Sequence, residues 1–199
     1  MKNKQITKKI ISGKYKGKTI LLPSKETTRS SKAVVVESFF NTVQFNIIDS
    51  IFVEVFAGSG SVGLEALSSG ASKIYFMEKD KLALRTLHQN ISNTDPSKCE
   101  VIQGDSFKNI SMVIAKLKKE NTQAYFYIDP PFSFREGMED IYNNMLQLIS
   151  LLPKEHVKLI ILEHMSGLEL PQTIGIYTQQ KSKKFGNTTL TYYKNIEME

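Results

Sequence analysis

The sequence predicts an α/β protein: a Rossmann-like, mostly parallel sheet that closes on a C-terminal antiparallel hairpin and is preceded by a small N-terminal β-hairpin and helix. Three observations predict it. Apolar runs near 51–55, 73–78, 99–104, 124–129 and 157–163 alternate with helical patterns near 61–69, 80–92, 106–119 and 136–150, and such alternation implies parallel strands with helices on both faces. The last two runs, Ile174 to Ser182 and Thr188 to Ile196, flank Phe185-Gly186-Asn187 with no helix between them, which is a hairpin signal. At the other end, Ile10 to Ser12 and Thr19 to Leu22 flank Gly13-Lys14-Tyr15-Lys16-Gly17, an expected hairpin with lysines and a tyrosine at its tip. Ser30 or Ser31 can then cap a helix running to about Asn41, with Val34, Val35, Ser38 and Phe39 as its apolar side. The expected division is an extension over residues 1–44 and a main domain over 45–199.

A chain of 199 residues is long enough for one ordinary domain with a real core. Its single cysteine, Cys99, excludes a disulfide framework and a cysteine-built zinc site, and points to a reducing compartment. The three histidines, His88, His156 and His164, have no metal-ligand spacing, so no metal is expected. No apolar stretch approaches a membrane span and Met1-Lys-Asn-Lys-Gln5 has no apolar signal core, which together read as cytoplasmic. Charge is unevenly spread: residues 1 to 32 carry a net +9 and the rest of the chain a net −3, within a total of +6. A basic arm on a mildly acidic body suits a polyanion. Lys181, Lys183 and Lys184 form a second, smaller basic group before the last hairpin turn.

The strand Ile51-Phe-Val-Glu-Val55 runs into Phe56-Ala-Gly58-Ser-Gly60-Ser-Val-Gly63, and a helical pattern follows. Glycines at that spacing let backbone approach a ligand at a helix N-terminus. Glu78, 20 residues beyond Gly58, ends the next apolar strand, where a carboxylate accepts from ribose hydroxyls. These features fit a nicotinamide cofactor or S-adenosylmethionine, and the acid Glu54 at the tip of the first strand suits a ligand with an ammonium and a sulfonium better than a pyrophosphate. Asp105, in Gly104-Asp105-Ser106-Phe107, would accept from an adenine amine beside the Phe107 ring, or equally would cap the helix from Ser106.

Asp129-Pro130-Pro131-Phe132 closes the strand Ala124-Tyr-Phe-Tyr-Ile128. The Asp129 carboxylate and the Pro130 carbonyl are rigidly directed acceptors for one NH₂ group, and Phe132 offers a face on which a planar base can stack. An Asx turn is the plainer use of the same residues. Four strands thus end in the acids Glu54, Glu78, Asp105 and Asp129, which an open parallel sheet would gather in one crevice.

The chain resembles the class I S-adenosylmethionine-dependent methyltransferases of the RsmD type, which modify a guanine N2 amine in bacterial 16S ribosomal RNA. The resemblance rests on Ile10-Ile-Ser-Gly-Lys-Tyr-Lys-Gly-Lys18, Thr28-Arg29, Glu37-Ser-Phe-Phe-Asn41, the segment Phe56 to Leu67, Glu78 and Asp129 to Phe132. It implies that Glu54, Phe56, Gly58, Gly60, Gly63, Glu78, Asp105 and Ser106 hold S-adenosylmethionine, and that Asp129, Pro130 and Phe132 are catalytic. It further places Pro131 with them at the target base, while the basic arm and its neighbours, Lys14, Lys16, Lys18, Arg29 and Lys32, are expected to meet the substrate, small-subunit ribosomal RNA or its ribonucleoprotein assembly, and a monomer is expected. The sequence departs from the family pattern at Ala33-Val34-Val35-Val36, where relatives carry two arginines and an aspartate; Lys32 and the hairpin lysines would supply the charge. The alternatives are an N6-adenine DNA methyltransferase, an NAD-dependent oxidoreductase and a non-catalytic RNA-binding protein. The first of these commonly needs an added recognition domain, the second leaves Asp129 without a task, and the third explains only the basic arm.

Overall fold

The computed structural model describes residues 6–22, 30–131 and 140–195. Elements follow in the order β1 (Ile6–Lys9), β2 (Thr19–Leu22), α1 (Ser30–Val43), β3 (Ile51–Val55), α2 (Ser61–Ser68), β4 (Lys73–Glu78), α3 (Lys81–Ser92), β5 (Cys99–Gln103), α4 (Ser106–Lys119), β6 (Ala124–Ile128), α5 (Ile141–Ser150), β7 (Val157–Met165), β8 (Thr173–Ile174), β9 (Tyr177–Phe185) and β10 (Thr188–Lys194). The main sheet has the order β5-β4-β3-β6-β7-β10-β9-β8. Its first five strands are parallel, and β10, β9 and β8 complete it in antiparallel pairing. The expected α/β sheet with its closing hairpin is therefore the observed one.

Burial explains why the strands read as unbroken apolar runs. Strands β3 and β6 are buried at every position, because helices cover both faces of a parallel sheet. Successive residues alternate between two cores. Phe52, Phe76, Tyr125 and Tyr127 pack on one side with α1, α2, α3 and the N-terminal hairpin. Val53, Met77, Phe126 and Ile128 pack on the other with α4 and α5.

Three boundaries differ from expectation. The first hairpin strand is Ile6–Lys9, paired with Thr19–Leu22, and residues 10 to 18 are its connecting loop. That loop is docked against the body: Gly13 has φ +76, and a Cβ there would lie 1.8 Å from the Ser68 carbonyl oxygen. Lys14 N–H donates to Ser68 O at 2.8 Å, Tyr15 N–H to Ser68 Oγ at 2.9 Å and Ile11 N–H to Glu65 Oε1 at 3.0 Å. Ile10, Tyr15 and Ile20 join the core shared by α1, α2 and α3. On α1 the buried face is Val35, Val36, Phe39, Phe40 and Val43, while Val34 is 54% exposed; the stripe at helical spacing is rotated from the expected one. At the C-terminal end, Gly175 at φ +58 turns the chain, so the segment expected to begin one strand at Ile174 divides into β8 and β9.

Gly13→Ala should lower stability by about 2 kcal/mol or more, since left-handed strain adds to a backbone clash. Gly17→Ala, at φ +85 with open space around the added carbon, should cost only about 1 kcal/mol. Thermal denaturation of the two variants beside the parent measures the difference, and equal losses would mean that the loop is not held at Ser68.

Candidate functional site

Strand order reverses between β3 and β6: from β3 the chain proceeds outward to β4 and β5, and from β6 it proceeds the other way to β7. A crevice opens at such a point beyond the carboxyl ends of the strands. Glu54 stands on β3 and Asp129 directly follows β6, the two strands that border it, and Glu78 ends the next strand along.

The turn after β3 contains three left-handed residues, Phe56 (φ +64), Gly58 (φ +56) and Gly60 (φ +76). Its glycines do different work. Gly60 and Gly63 are packing positions: a Cβ would lie 2.3 Å from Leu87 Cδ1 at the first and 2.4 Å from the Phe76 ring at the second. Gly58 instead has nothing within 4 Å of an added Cβ, so it is where backbone is bare toward the crevice. Its N–H donates to Glu78 Oε2 at 2.6 Å. Glu78 Oε1 accepts from the N–H groups of Lys79 (2.8 Å) and Asp80 (2.7 Å). A carboxylate has about four acceptor sites, so these three bonds leave Oε2 room for one donor.

Glu54 is turned beneath α2. Its Oε1 accepts from Val62 N–H at 3.2 Å and its Oε2 from Gly63 N–H at 2.8 Å, so it satisfies amides that a helix N-terminus leaves open. Burial pushes its carboxyl up to about 8, against the lowering effect of those two amides and of Lys8. The geometry gives Glu54 the task of holding the loop. Phe56, strained by about 1–3 kcal/mol, packs its ring on Phe107 at 5.3 Å and 60°. Asp105 caps α4 through Oδ1, which accepts from Phe107 N–H at 2.9 Å, and Ser106 is buried behind it. The helix-cap reading of Asp105 is thus present, with Oδ2 left for a ligand.

Asp129 and Pro131 are half-buried and Pro130 is buried at the end of β6. Sequence reasoning missed what supports them. Tyr127, one pleat below Asp129 on the same face, donates its hydroxyl to Glu163 Oε2 at 2.6 Å, and burial together with the Glu163 charge holds the phenol well above its usual range. Glu163 follows Leu162, the partner of Ile128, so continuing that register by one residue sets it level with Asp129, which follows β6. Its signal was present, since the fifth apolar run also ends in an acid. Asn90 was missed as well: its buried amide accepts from Leu21 N–H and donates to Leu21 O and Ser59 O, each at 2.9 Å, tying the hairpin to the glycine turn.

The structure does not bring Lys14, Lys16 and Lys18 to this crevice. Helices α2 and α3 return the chain to the amino edge of the sheet, and the lysine loop packs on their C-terminal ends: at Ser68, and at Asn93, whose carbonyl accepts from Lys18 Nζ at 2.6 Å. Lys14 and Lys18 lie over the Tyr15 ring at 5.2 and 5.1 Å. Arg29, Phe132 and the Lys32 side chain lie outside the described residues. Among the described residues no cluster of histidine, cysteine and acids could hold a metal, and no helix is long and apolar enough to cross a membrane.

Because the fold favours protonated Glu54, the native state binds more protons than the unfolded chain between the ordinary value of 4.5 and about 8. Stability should therefore fall as pH rises through that window. Glu54→Gln, neutral throughout, should show a shallower fall in melting temperature from about pH 5 to about pH 8; identical profiles would remove Glu54 as the source.

Comparison with known proteins agrees with this architecture. The sequence model of the family described as "Conserved hypothetical protein 95" matches residues 8–194. Ribosomal RNA small subunit methyltransferase D of Haemophilus influenzae is 34% identical over 157 residues, 75% of this chain and 79% of the relative. The protein of that name from Escherichia coli K12 is 25% identical over 186 residues, 94% of this chain and 89% of the relative. The solved Escherichia coli structure yhhF superposes with a TM-score of 0.72 at 24% identity, over 96% of this chain and 98% of that one. The chain belongs to the "Conserved hypothetical protein 95" family, the RsmD-type family of ribosomal RNA small subunit methyltransferase D.

Proposed function

We propose that the protein transfers a methyl group from S-adenosylmethionine to the exocyclic N2 amine of a guanine in small-subunit ribosomal RNA, as a cytoplasmic monomer. The observation that carries this reading is the meeting, at one switch point, of a glycine turn closed by Glu78 and the rigid acceptor pair of Asp129 and Pro130. The relatives' names agree in the reaction and in the RNA.

The residues present fit a nucleoside cofactor. Gly58 leaves space for close approach, Glu78 keeps acceptor capacity for a ribose hydroxyl, and Asp105, bonded through Oδ1 to the N–H of Phe107 in the Phe56–Phe107 pair, has its second carboxylate oxygen for an adenine amine. When bound, S-adenosylmethionine supplies a methyl group made electrophilic by its sulfonium. The protein's own task is to present the amine. A guanine N2 lone pair is delocalised into the ring. Accepting both N–H bonds at Asp129 and at the Pro130 carbonyl favours a more tetrahedral nitrogen and stabilises the positive charge that develops on it. Proline's fixed φ keeps those acceptors aimed, and Tyr127 bonded to Glu163 forms a firm floor under them. Holding the amine in line contributes up to about 7–11 kcal/mol in favourable systems. Phe132 is assigned to stacking on the base, which must first leave its own stack.

S-adenosylhomocysteine should raise the melting temperature, equivalent to about 2.7 kcal/mol at a hundredfold excess over Kd, while NAD should not; the reverse would overturn the methyltransferase reading. Asp129→Ala should lower kcat by about 10²–10³ and leave S-adenosylhomocysteine affinity near that of the parent, as measured by single-turnover methylation and calorimetry. Mass spectrometry of digested product should identify N2-methylguanosine in small-subunit ribosomal RNA, and N6-methyladenosine in DNA would replace this reading with its rival.

A further inference from the structure

Strand β9 carries a cationic pair that the catalytic crevice does not use. Lys181 and Lys183 are both exposed, and alternate positions on a strand face the same side. Each ammonium lies over a ring, Lys181 Nζ 4.5 Å from the Tyr192 centroid and Lys183 Nζ 5.2 Å from that of Phe185. Each ammonium also reaches α1: Lys183 Nζ donates to Ser38 Oγ at 2.8 Å and Lys181 Nζ to Thr42 Oγ1 at 3.4 Å. Among the described residues no carboxylate forms an ion pair with either. Burial and the neighbouring Lys183 charge lower the Lys181 ammonium from its usual range. Strand geometry roots the two lysines about 7 Å apart on one face, and among the described residues neither has a counter-charge.

Register relates them to the crevice. Leu190 pairs with both Glu163 and Lys183, and the continued register sets Glu163 level with Asp129. Lys183 thus stands in the same row and on the same face as Asp129, three strands away, or about 14 Å at the usual strand spacing. Helix α1 offers no cation of its own between Ala33 and Val43, only Glu37, so the positive charge on this flank comes from β9.

Resting on the functional reading above, we propose that Lys181 and Lys183 bind the sugar–phosphate backbone of the RNA strand whose base enters the crevice. Their order before binding reduces the entropy lost on contact, and phosphates would relieve their mutual repulsion. Past its two-residue pairing with β8, β9 leaves one edge unpaired among the described strands, and lysines there also discourage edge-to-edge association, a role that predicts no effect on RNA.

The test measures binding of a fluorescein-labelled single-stranded RNA, carrying the small-subunit target sequence, to the full chain across a salt series. Lys181→Gln/Lys183→Gln should weaken binding several-fold at low salt and reduce the log–log salt slope by roughly 1.4, from about 0.7 per lost phosphate contact. S-adenosylhomocysteine affinity should not change, and Lys181→Arg/Lys183→Arg should retain the slope. Lys118→Gln/Lys119→Gln, an equal loss of charge at the last turn of α4, should leave the slope near that of the parent. A β9 pair indistinguishable from the parent, or no steeper in effect than the α4 pair, overturns the proposal while the methyltransferase reading stands. A parent that neither binds nor methylates the RNA overturns both.

Discussion

The arrangement at the crevice depends on carboxyl groups that hold backbone amides. In a turn with three left-handed residues in five, Ala57 N–H reaches the Met77 carbonyl of β4 and Gly60 N–H that of Ala57, which leaves the Gly58 N–H for a side chain. Glu78 takes the Gly58 amide from one side, and Glu54 takes the first amides of α2 from beneath. Each acid is fixed by a buried strand, so the turn inherits the rigidity of the sheet. Glu54 gives up solvation for this, and its raised proton affinity is the result.

This dual use of acids accounts for what the sequence made legible. The strands were readable because both faces of the sheet are covered, which leaves apolar runs of the right length. The positions of Gly58, Glu78 and Asp129 followed from strand ends, and parallel topology places strand ends together. The sequence did not distinguish an acid that faces a ligand from one that faces a helix. Glu54 and Asp105 look alike as strand-end carboxylates, yet one lies under α2 and the other opens α4. Only the path of the chain after each strand decides that.

Contacts between distant segments were the illegible part. The Gly13 loop has the composition of a free basic tip, but its conformation is fixed by Ser68, more than fifty residues later. Glu163 and Lys183 gain their relation to Asp129 from register across three strand pairs, none of which is written in local periodicity. The rotated face of α1 has the same origin: Val34 and Val35 are chemically alike, and packing on Phe52 and Tyr127 selects one through Phe39.

The Asn90 amide has a consequence for how the N-terminal hairpin keeps its alignment. A side-chain amide offers a donor and an acceptor as a peptide group does, and Asn90 uses both on Leu21, so α3 acts toward β2 as a single residue of a third strand. A two-stranded ribbon is marginal in water and prone to slip, and a slip of one residue would send Ile20 outward and Leu21 inward. With one residue's N–H and C=O both engaged, the ribbon has a fixed phase. The remaining donor on Asn90, spent on Ser59 O, sets that phase against the glycine turn, so that strand alignment at the chain's start and loop geometry at the crevice share one reference point.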